Sequence, residues 1–451
     1  MELQSKRVLV VGLGKSGVAS ALFLKSRGAQ VTVSDAKPQD QLKQEIPLLL
    51  DQGIAVETGG HGERTFRGQD LIVVSPGVPV DAPPLVQARA LGEVVIGEIE
   101  LAFQFFPGPI VAITGSNGKT TTTTLTGELL AAGGYSTAVG GNIGTPAISL
   151  VERAGDKTVG VLEVSSFQLE TIQAFRPRIA VVLNITPDHL DRHRTFQIYV
   201  DAKARIFENQ GKEDFAILNA DDPTCVTLAG RVRSQLFWFS RKKELPLGAY
   251  VHDGTIYFRD AAGQREIMKV AEIPLKGAHN VENALAAICA GSLMKCEPAK
   301  IRQAVRNFKA VEHRIEYVAT VRGVEYYNDS KATNVDATIK ALESFPANIH
   351  LILGGKDKGS DYTVLNPLLR ERVKRVYSIG AAASKIESQI AGSADVVHAE
   401  TLENAVSRAA SAAMPGDVVL LAPACASFDQ FENYQHRGRV FKEAVRRLAE
   451  N

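Results

Sequence analysis

Pro109-Ile110-Val111-Ala112-Ile113-Thr114, followed by Gly115-Ser116-Asn117-Gly118-Lys119-Thr120, is the stretch from which the fold is read. The apolar run predicts a buried strand, and the pattern of Thr121–Ala132 predicts a helix directly after the loop. Strand, glycine loop, Lys-Thr and helix, in that order, make a phosphate-binding loop. Successive backbone N–H groups can surround phosphate oxygens. Lys119 would neutralise the charge of the β- and γ-phosphates, and the Thr120 hydroxyl would ligate Mg²⁺. Gly115, Ser116, Asn117, Gly118, Lys119, Thr120 and Thr121 are therefore the expected ATP-binding residues. The common form of the loop needs a glycine where this chain has Ile113, so the loop is a shortened variant.

Outward from the loop, short runs rich in Val and Ile alternate with helical patterns. They are Arg7–Val11, Gln30–Ser34, Asp70–Ser75, Thr158–Val164, Arg178–Asn184, His350–Gly354, Arg375–Ile379 and Asp417–Ala422. Strands covered by helices on both faces read this way, so the expected class is α/β. With 451 residues the chain suits about three domains. Pro107-Gly108-Pro109, after the helical link Gly97–Phe106, marks one boundary, and the strand pair Ile315–Val321 and Val324–Asn328 marks another. The domains expected are residues 1–97, 98–310 and 311–451. Leu236–Ile267 reads as a small antiparallel patch with a turn at Asp253-Gly254. Helices are expected over Val18–Arg27, Ile198–Asn209, Asn280–Leu293 and Pro298–Phe308.

Composition narrows the function. Basic residues number 51 and acidic residues 50, which leaves no charge footprint for nucleic acid or an anionic membrane. Cys225, Cys289, Cys296 and Cys425 form no CxxC pair and read as free thiols of a reducing compartment. Met1–Arg7 lacks the charged and apolar regions of a signal peptide, and no run approaches about 18 uninterrupted apolar residues. A cytoplasmic enzyme is expected.

A second glycine loop, Gly12-Leu13-Gly14-Lys15-Ser16-Gly17, follows the strand Val8–Val11 and opens a helix, and the next strand ends at Asp35. That context suits a nucleotide pyrophosphate, gripped by close backbone approach and a helix N-terminus. The loop reads a diphosphate and not a nicotinamide. Ser75-Pro76-Gly77-Val78 ends another strand and should face the same crevice. Near the phosphate loop, Glu163 is a carboxylate in an apolar strand, costly unless paired or metal-bound, and so a Mg²⁺-ligand candidate. His189, in Asn184-Ile185-Thr186-Pro187-Asp188-His189-Leu190-Asp191-Arg192-His193, follows the next strand and reads equally as ligand or as structural histidine. Lys203, taken by itself, reads as a solvated helix lysine.

Together these pieces resemble the Mur ligase family, ATP-dependent amide-forming enzymes of peptidoglycan synthesis. The resemblance rests on the short Thr-Gly-Ser-Asn-Gly-Lys-Thr loop, Glu-Val-Ser-Ser-Phe-Gln-Leu-Glu (163–170), the 184–193 segment and Gly-Ala-His-Asn-Val-Glu-Asn-Ala (277–284). Glu312-His313-Arg314, Asp329-Ser330-Lys331-Ala332-Thr333-Asn334 and Pro423–Phe431 complete it. The last two segments most resemble the member that adds D-glutamate to UDP-N-acetylmuramoyl-L-alanine. The resemblance implies an N-terminal Rossmann-like UDP-binding domain, a central P-loop ATPase-like domain and a C-terminal Rossmann-like domain. It implies two Mg²⁺ sites served by Thr120, Glu163, His189 and Lys203, with Lys203 carbamylated. Lys119, Glu163, His189 and Lys203 become the expected catalytic set. Asn280, Asn283, Arg314 and Asp329 join the nucleotide site. Gly14, Lys15, Ser16, Asp35, Ala36, Lys37, Ser75 and Gly77 are expected around the UDP part, and Asn142 at the muramoyl part. Lys331, Thr333, Lys358, Ser427 and Phe428 are expected around glutamate, an anion that calls for cationic and hydroxyl partners.

The implied reaction converts a carboxylate, a poor electrophile, into an acyl phosphate with ATP; the glutamate amine then displaces phosphate. Two Mg²⁺ ions would offset the repulsion of the two anions. The base that takes the amine proton stays open, with His189 conceivable. The expected partners are small molecules only, and the expected state is a monomer. Three readings compete: another ligase of the family or a folylpolyglutamate-type ligase, an NAD oxidoreductase built on Gly12–Gly17, and a nucleotide-binding scaffold without catalysis.

Overall fold

A computed structural model describes residues 1–309 and 311–450. Three sheets carry the chain, and each lies within one of the three expected domains. The expected boundary at 310 falls on Ala310, which lies outside the described residues. By internal contacts the chain forms two compact units. One holds Met1–Glu272 and Asn283–Arg306, with the first two sheets; the other holds Ile273–Glu282 and the residues from Asn307 onward, with the third.

The first sheet is parallel, in the order Ala55–Thr58, Gln30–Asp35, Arg7–Val11, Leu71–Val74, Val95–Gly97. Its central strand shows why such runs are apolar throughout. Val8 and Val10 enter the core on one face, and Leu9 and Val11 the core on the other. The second sheet has nine strands, and Ile110–Thr114 is third from one edge, between Thr158–Glu163 and Ile179–Val182. The third has six strands, parallel except for the edge pair Glu316–Val321 and Val324–Asn328.

Three expectations need correction. The expected antiparallel patch, Leu236–Ile267, is antiparallel only in part. Gln235–Ser240 pairs in parallel with Phe215–Asn219 and with Gly248–His252, and only Gly248–His252, Thr255–Asp260 and Gly263–Lys269 run antiparallel, extending the second sheet. A free edge of backbone N–H and C=O groups is satisfied by adding strands, which the hairpin pattern alone does not reveal. The glycine-loop helices start earlier than expected, at Lys15 and Lys119, because the last loop residues already take helical backbone. The helix carrying Lys203 spans Phe196–Ala204, capped by the Thr195 side chain, and tightens into a 3₁₀ turn at Arg205–Phe207.

The helix Glu98–Phe105 links the first two sheets, with two buried carboxylates in its first turn. Glu100 accepts the N–H groups of Gln173, Ala174 and Phe175. Glu98 accepts the Ile148 N–H at 2.8 Å, but burial lifts its carboxyl to about 7. In the unfolded chain the group ionises near its ordinary value of 4.5. The folded state therefore binds the extra proton, and stability falls as pH rises from that value to about 7. Relative to the native chain, Glu98→Gln should gain stability across this window, by on the order of 3 kcal/mol above it. Urea unfolding of both proteins between pH 5 and pH 8 checks this; a pH-independent difference would refute it.

Candidate functional site

The phosphate loop is held open by its neighbours. Asn184 clamps it: Oδ1 accepts the Asn117 N–H at 2.8 Å, Nδ2 donates to the Asn117 carbonyl at 3.1 Å, and the Asn184 carbonyl accepts the Ser116 N–H. The Ser116 hydroxyl donates to the Thr186 carbonyl at 2.9 Å and meets the Tyr199 hydroxyl at 3.0 Å. Gly118 has φ 84°, and a Cβ there would lie 2.2 Å from Asn283 Oδ1, so both conformation and space require glycine. This places Asn283 beneath the loop, where it also meets the Thr122 hydroxyl at 3.3 Å. The Lys119 ammonium curls back onto the Gly115 and Ser116 carbonyls at 2.8 and 2.9 Å.

Glu163 and Thr120 come together as expected. The carboxylate is 2% exposed, and Oε2 accepts the Thr120 hydroxyl at 2.7 Å while Oε1 accepts Asn142 Nδ2 at 3.0 Å. The Glu163 carbonyl also takes the Asn142 N–H, which joins the Gly140–Gly144 segment to the strand end. A hydroxyl and a carboxylate presented side by side form a hard oxygen donor set, which fits Mg²⁺. His189 is 40% exposed in side chain, stands 3.6 Å from Asp188 Oδ2 and packs its ring on Phe167.

Lys203 is not a solvated lysine. It is 2% exposed; its amine donates to the Gly115 carbonyl at 2.9 Å, lies 3.4 Å from Thr114 Oγ1 and sits over the Tyr199 ring. Burial, and then the charge of Lys119 on the same carbonyl, hold this amine well below the ordinary lysine range. The sequence carried a usable signal: Tyr199 and Lys203 are one helical turn apart, so they share the inward face. Tyr199 and His193 are functional candidates that sequence reasoning missed. His193 is buried, with Nε2 2.9 Å from the Ser166 hydroxyl.

The first glycine loop forms a tight turn between the strand Arg7–Val11 and the helix from Lys15. A Cβ on Gly17 would lie 1.8 Å from the Gly12 carbonyl, so the helix can approach the loop only with glycine there. Asp35 accepts the Leu13 N–H at 2.6 Å and the Lys37 N–H at 2.8 Å, bracing the loop with its carboxylate. The Ser75 hydroxyl donates to the Gly12 carbonyl at 2.8 Å. Gly14, Lys15, Ala36, Lys37 and Gly77 are exposed, and Ser16 is half-buried.

In the other compact unit, three segments meet. Lys356 and Ala426 exchange backbone hydrogen bonds, which ties the loop of Lys358 to that of Ser427. Arg437, fully buried and unremarked in the sequence, donates to the Ser330 hydroxyl and carbonyl and to the Cys425 carbonyl, fixing the Lys331 segment to the same place. Ser427 is buried, Lys331 and Thr333 are half-buried, and Lys358 and Phe428 are exposed. Asp329 is buried with its carboxyl raised to about 6 by that burial, and its Oδ1 has no hydrogen-bond partner among the described residues. Asn280 donates to the Lys276 carbonyl at 2.7 Å in this unit, whereas Asn283 belongs to the first.

Comparison with known proteins agrees with this geometry. Residues 6–97 match the Mur ligase MurD-like N-terminal domain, 113–291 the Mur ligase middle domain, and 313–425 the glutamate ligase domain of Mur ligases. The chain is 68% identical over 450 residues to a UDP-N-acetylmuramoylalanine--D-glutamate ligase of Koribacter versatilis, covering 100% of this chain and 99% of that protein. It is 60% identical to the protein of the same description from Acidobacterium capsulatum, covering 99% and 97%. Among solved structures, the MurF ligase of Thermotoga maritima in complex with ADP shares the fold, with a TM-score of 0.63, 16% identity, and 99% of each chain covered.

Proposed function

This chain belongs to the Mur ligase family, and from that premise we propose that it joins D-glutamate to UDP-N-acetylmuramoyl-L-alanine with ATP, giving ADP and phosphate. In this reading residues 1–97 bind the UDP part, 98–310 bind ATP and 311–451 bind glutamate, and the enzyme works in the cytoplasm as a monomer. The observation that carries it is the convergence of Lys119, Thr120, Glu163 and Lys203 on one glycine loop. A buried carboxylate and a buried amine beside a phosphate loop are costly to keep for structure alone.

Thr120, Glu163, His189 and Lys203 would hold Mg²⁺, which when bound offsets the repulsion between ATP and the substrate carboxylate. The neutral Lys203 amine is the form that adds carbon dioxide: its lone pair forms the N–C bond, one proton leaves, and an anionic carbamate results. A cation-repelling site beside Lys119 thereby becomes cation-attracting. Lys119, freed from the loop carbonyls, would follow the transferred phosphoryl group. The loop N–H groups that Asn184 does not take would hold the phosphates in line with the substrate carboxylate, so much of the rate enhancement would be positioning. Asp329, with an unpartnered buried oxygen, suits a hydroxyl donor such as a ribose. Lys331, Lys358 and Ser427 supply the charge and hydroxyl that an acidic amino acid needs.

The test is phosphate release from ATP with an amino-acid panel. Release should require both UDP-N-acetylmuramoyl-L-alanine and D-glutamate, and L-glutamate, L-alanine and L-lysine should give at least about 100-fold less. Equal turnover with any of these would reject the assignment.

A further inference from the structure

A guanidinium bridges the two glycine-loop regions of the first compact unit. Arg192 Nη2 donates to the Val78 carbonyl at 3.0 Å and to Glu170 Oε2 at 3.1 Å. Val78 closes the turn that begins at Ser75, through Val78 N–H to the Ser75 carbonyl. Ser75 in turn holds the Gly12 carbonyl of the first glycine loop. On its other side, Arg192 lies over the Phe167 ring at 4.7 Å, and the same ring packs against His189. The arginine is seated firmly: both ion-pair side chains are under one-fifth exposed, Glu170 Oε1 stands 3.4 Å from His193 Nδ1, and Arg205 donates to the Glu170 carbonyl. One guanidinium nitrogen joins both neighbours, and the planar group that carries it holds position better than a flexible point charge can.

We propose that Arg192, paired with Glu170, is a positioning residue that registers the Ser75–Val78 turn against the segment bearing His189, and so sets the carboxylate of the UDP-linked substrate opposite the phosphoryl group of ATP. The inference rests on the proposed ligase reading. Its neighbour Arg194 supplies a built-in control, since its ion pair with Asp81 also joins the two regions but is exposed on both sides.

The experiment measures KM for UDP-N-acetylmuramoyl-L-alanine and for ATP, and kcat, in the wild-type chain, Arg192→Ala, Arg192→Lys, Glu170→Gln and Arg194→Ala. Calorimetry measures the dissociation constant of the UDP-linked substrate without ATP. Arg192→Ala should lower kcat/KM for the UDP-linked substrate by about tenfold or more, with KM for ATP within about twofold of wild type. Arg192→Lys and Glu170→Gln should fall between the two, and Arg194→Ala should match wild type. If Arg192→Ala does not fold, Arg192→Lys and Glu170→Gln carry the test. Wild-type values for UDP-linked substrate in all folded Arg192 and Glu170 variants, or an equal loss in Arg194→Ala, would overturn the proposal. If wild type shows no ligase turnover, the ligase reading fails. The calorimetric affinities then decide the arginine's role on their own, an unchanged value in the variants refuting it.

Discussion

Lys203→Ala should lower ligase turnover by at least about 10³-fold while leaving the chain folded, and a short carboxylic acid such as formate or acetate should restore part of the rate. The size of the loss follows from what the side chain would become. A carbamate on Lys203 is an anion in a buried place where burial and Lys119 disfavour the charged amine, and its removal would leave the adjacent cation site short of one carboxylate. A small acid entering the vacated space supplies that carboxylate without the covalent link, so rescue should saturate with acid concentration. Lysine's hydrogen bonds to Gly115 and Thr114 contribute to the loop's shape, so a modest stability change is expected alongside. Unchanged turnover would remove the carbamate from the mechanism. A loss that no acid rescues would leave Lys203 a loop brace only.

Lys119→Ala should cost a comparable factor, about 10³ in kcat, with KM for the UDP-linked substrate changed little. Two loop carbonyls hold the ammonium at the loop, from which it would turn to the phosphates. Its positive charge is worth most when charge builds on the transferred group, which is why the effect should fall on kcat. Steady-state phosphate release separates this from a binding defect. A variant that loses only ATP affinity would show that Lys119 grips the ground state and does not assist transfer.

Arg437 and Tyr199 show where reading the sequence stops. Each is an ordinary letter in an amphipathic helix, and nothing in its immediate surroundings reports that it will meet a loop more than a hundred residues away, in the case of Arg437 and Ser330, or about eighty, in the case of Tyr199 and Ser116. Lys203 is the intermediate case. Its place on the buried face was readable from helical spacing, yet the burial of an ammonium is so costly that the solvated reading is the natural one. His189, whose sequence left two roles open, meets Phe167 edge-on and stands beside Asp188. The hairpin around Asp253-Gly254 formed as expected, whereas Gln235–Ser240 pairs in parallel, because strand order set by partners distant in the chain decides its direction.

By itself the sequence determined the α/β class, three sheets' worth of buried strands and both glycine loops, because these depend on short-range periodicity and on backbone conformations that few residues allow. The loop Thr114–Thr120 was fully legible for that reason. Only the tertiary structure decided which side chains gather on it. It set Thr120 and Asn142 on opposite oxygens of Glu163, turned Lys203 inward beside Lys119, and bound the turn at Val78 to Arg192. Those arrangements depend on strand order and on the packing of segments remote in sequence, where burial and electrostatics act through space and not along the chain.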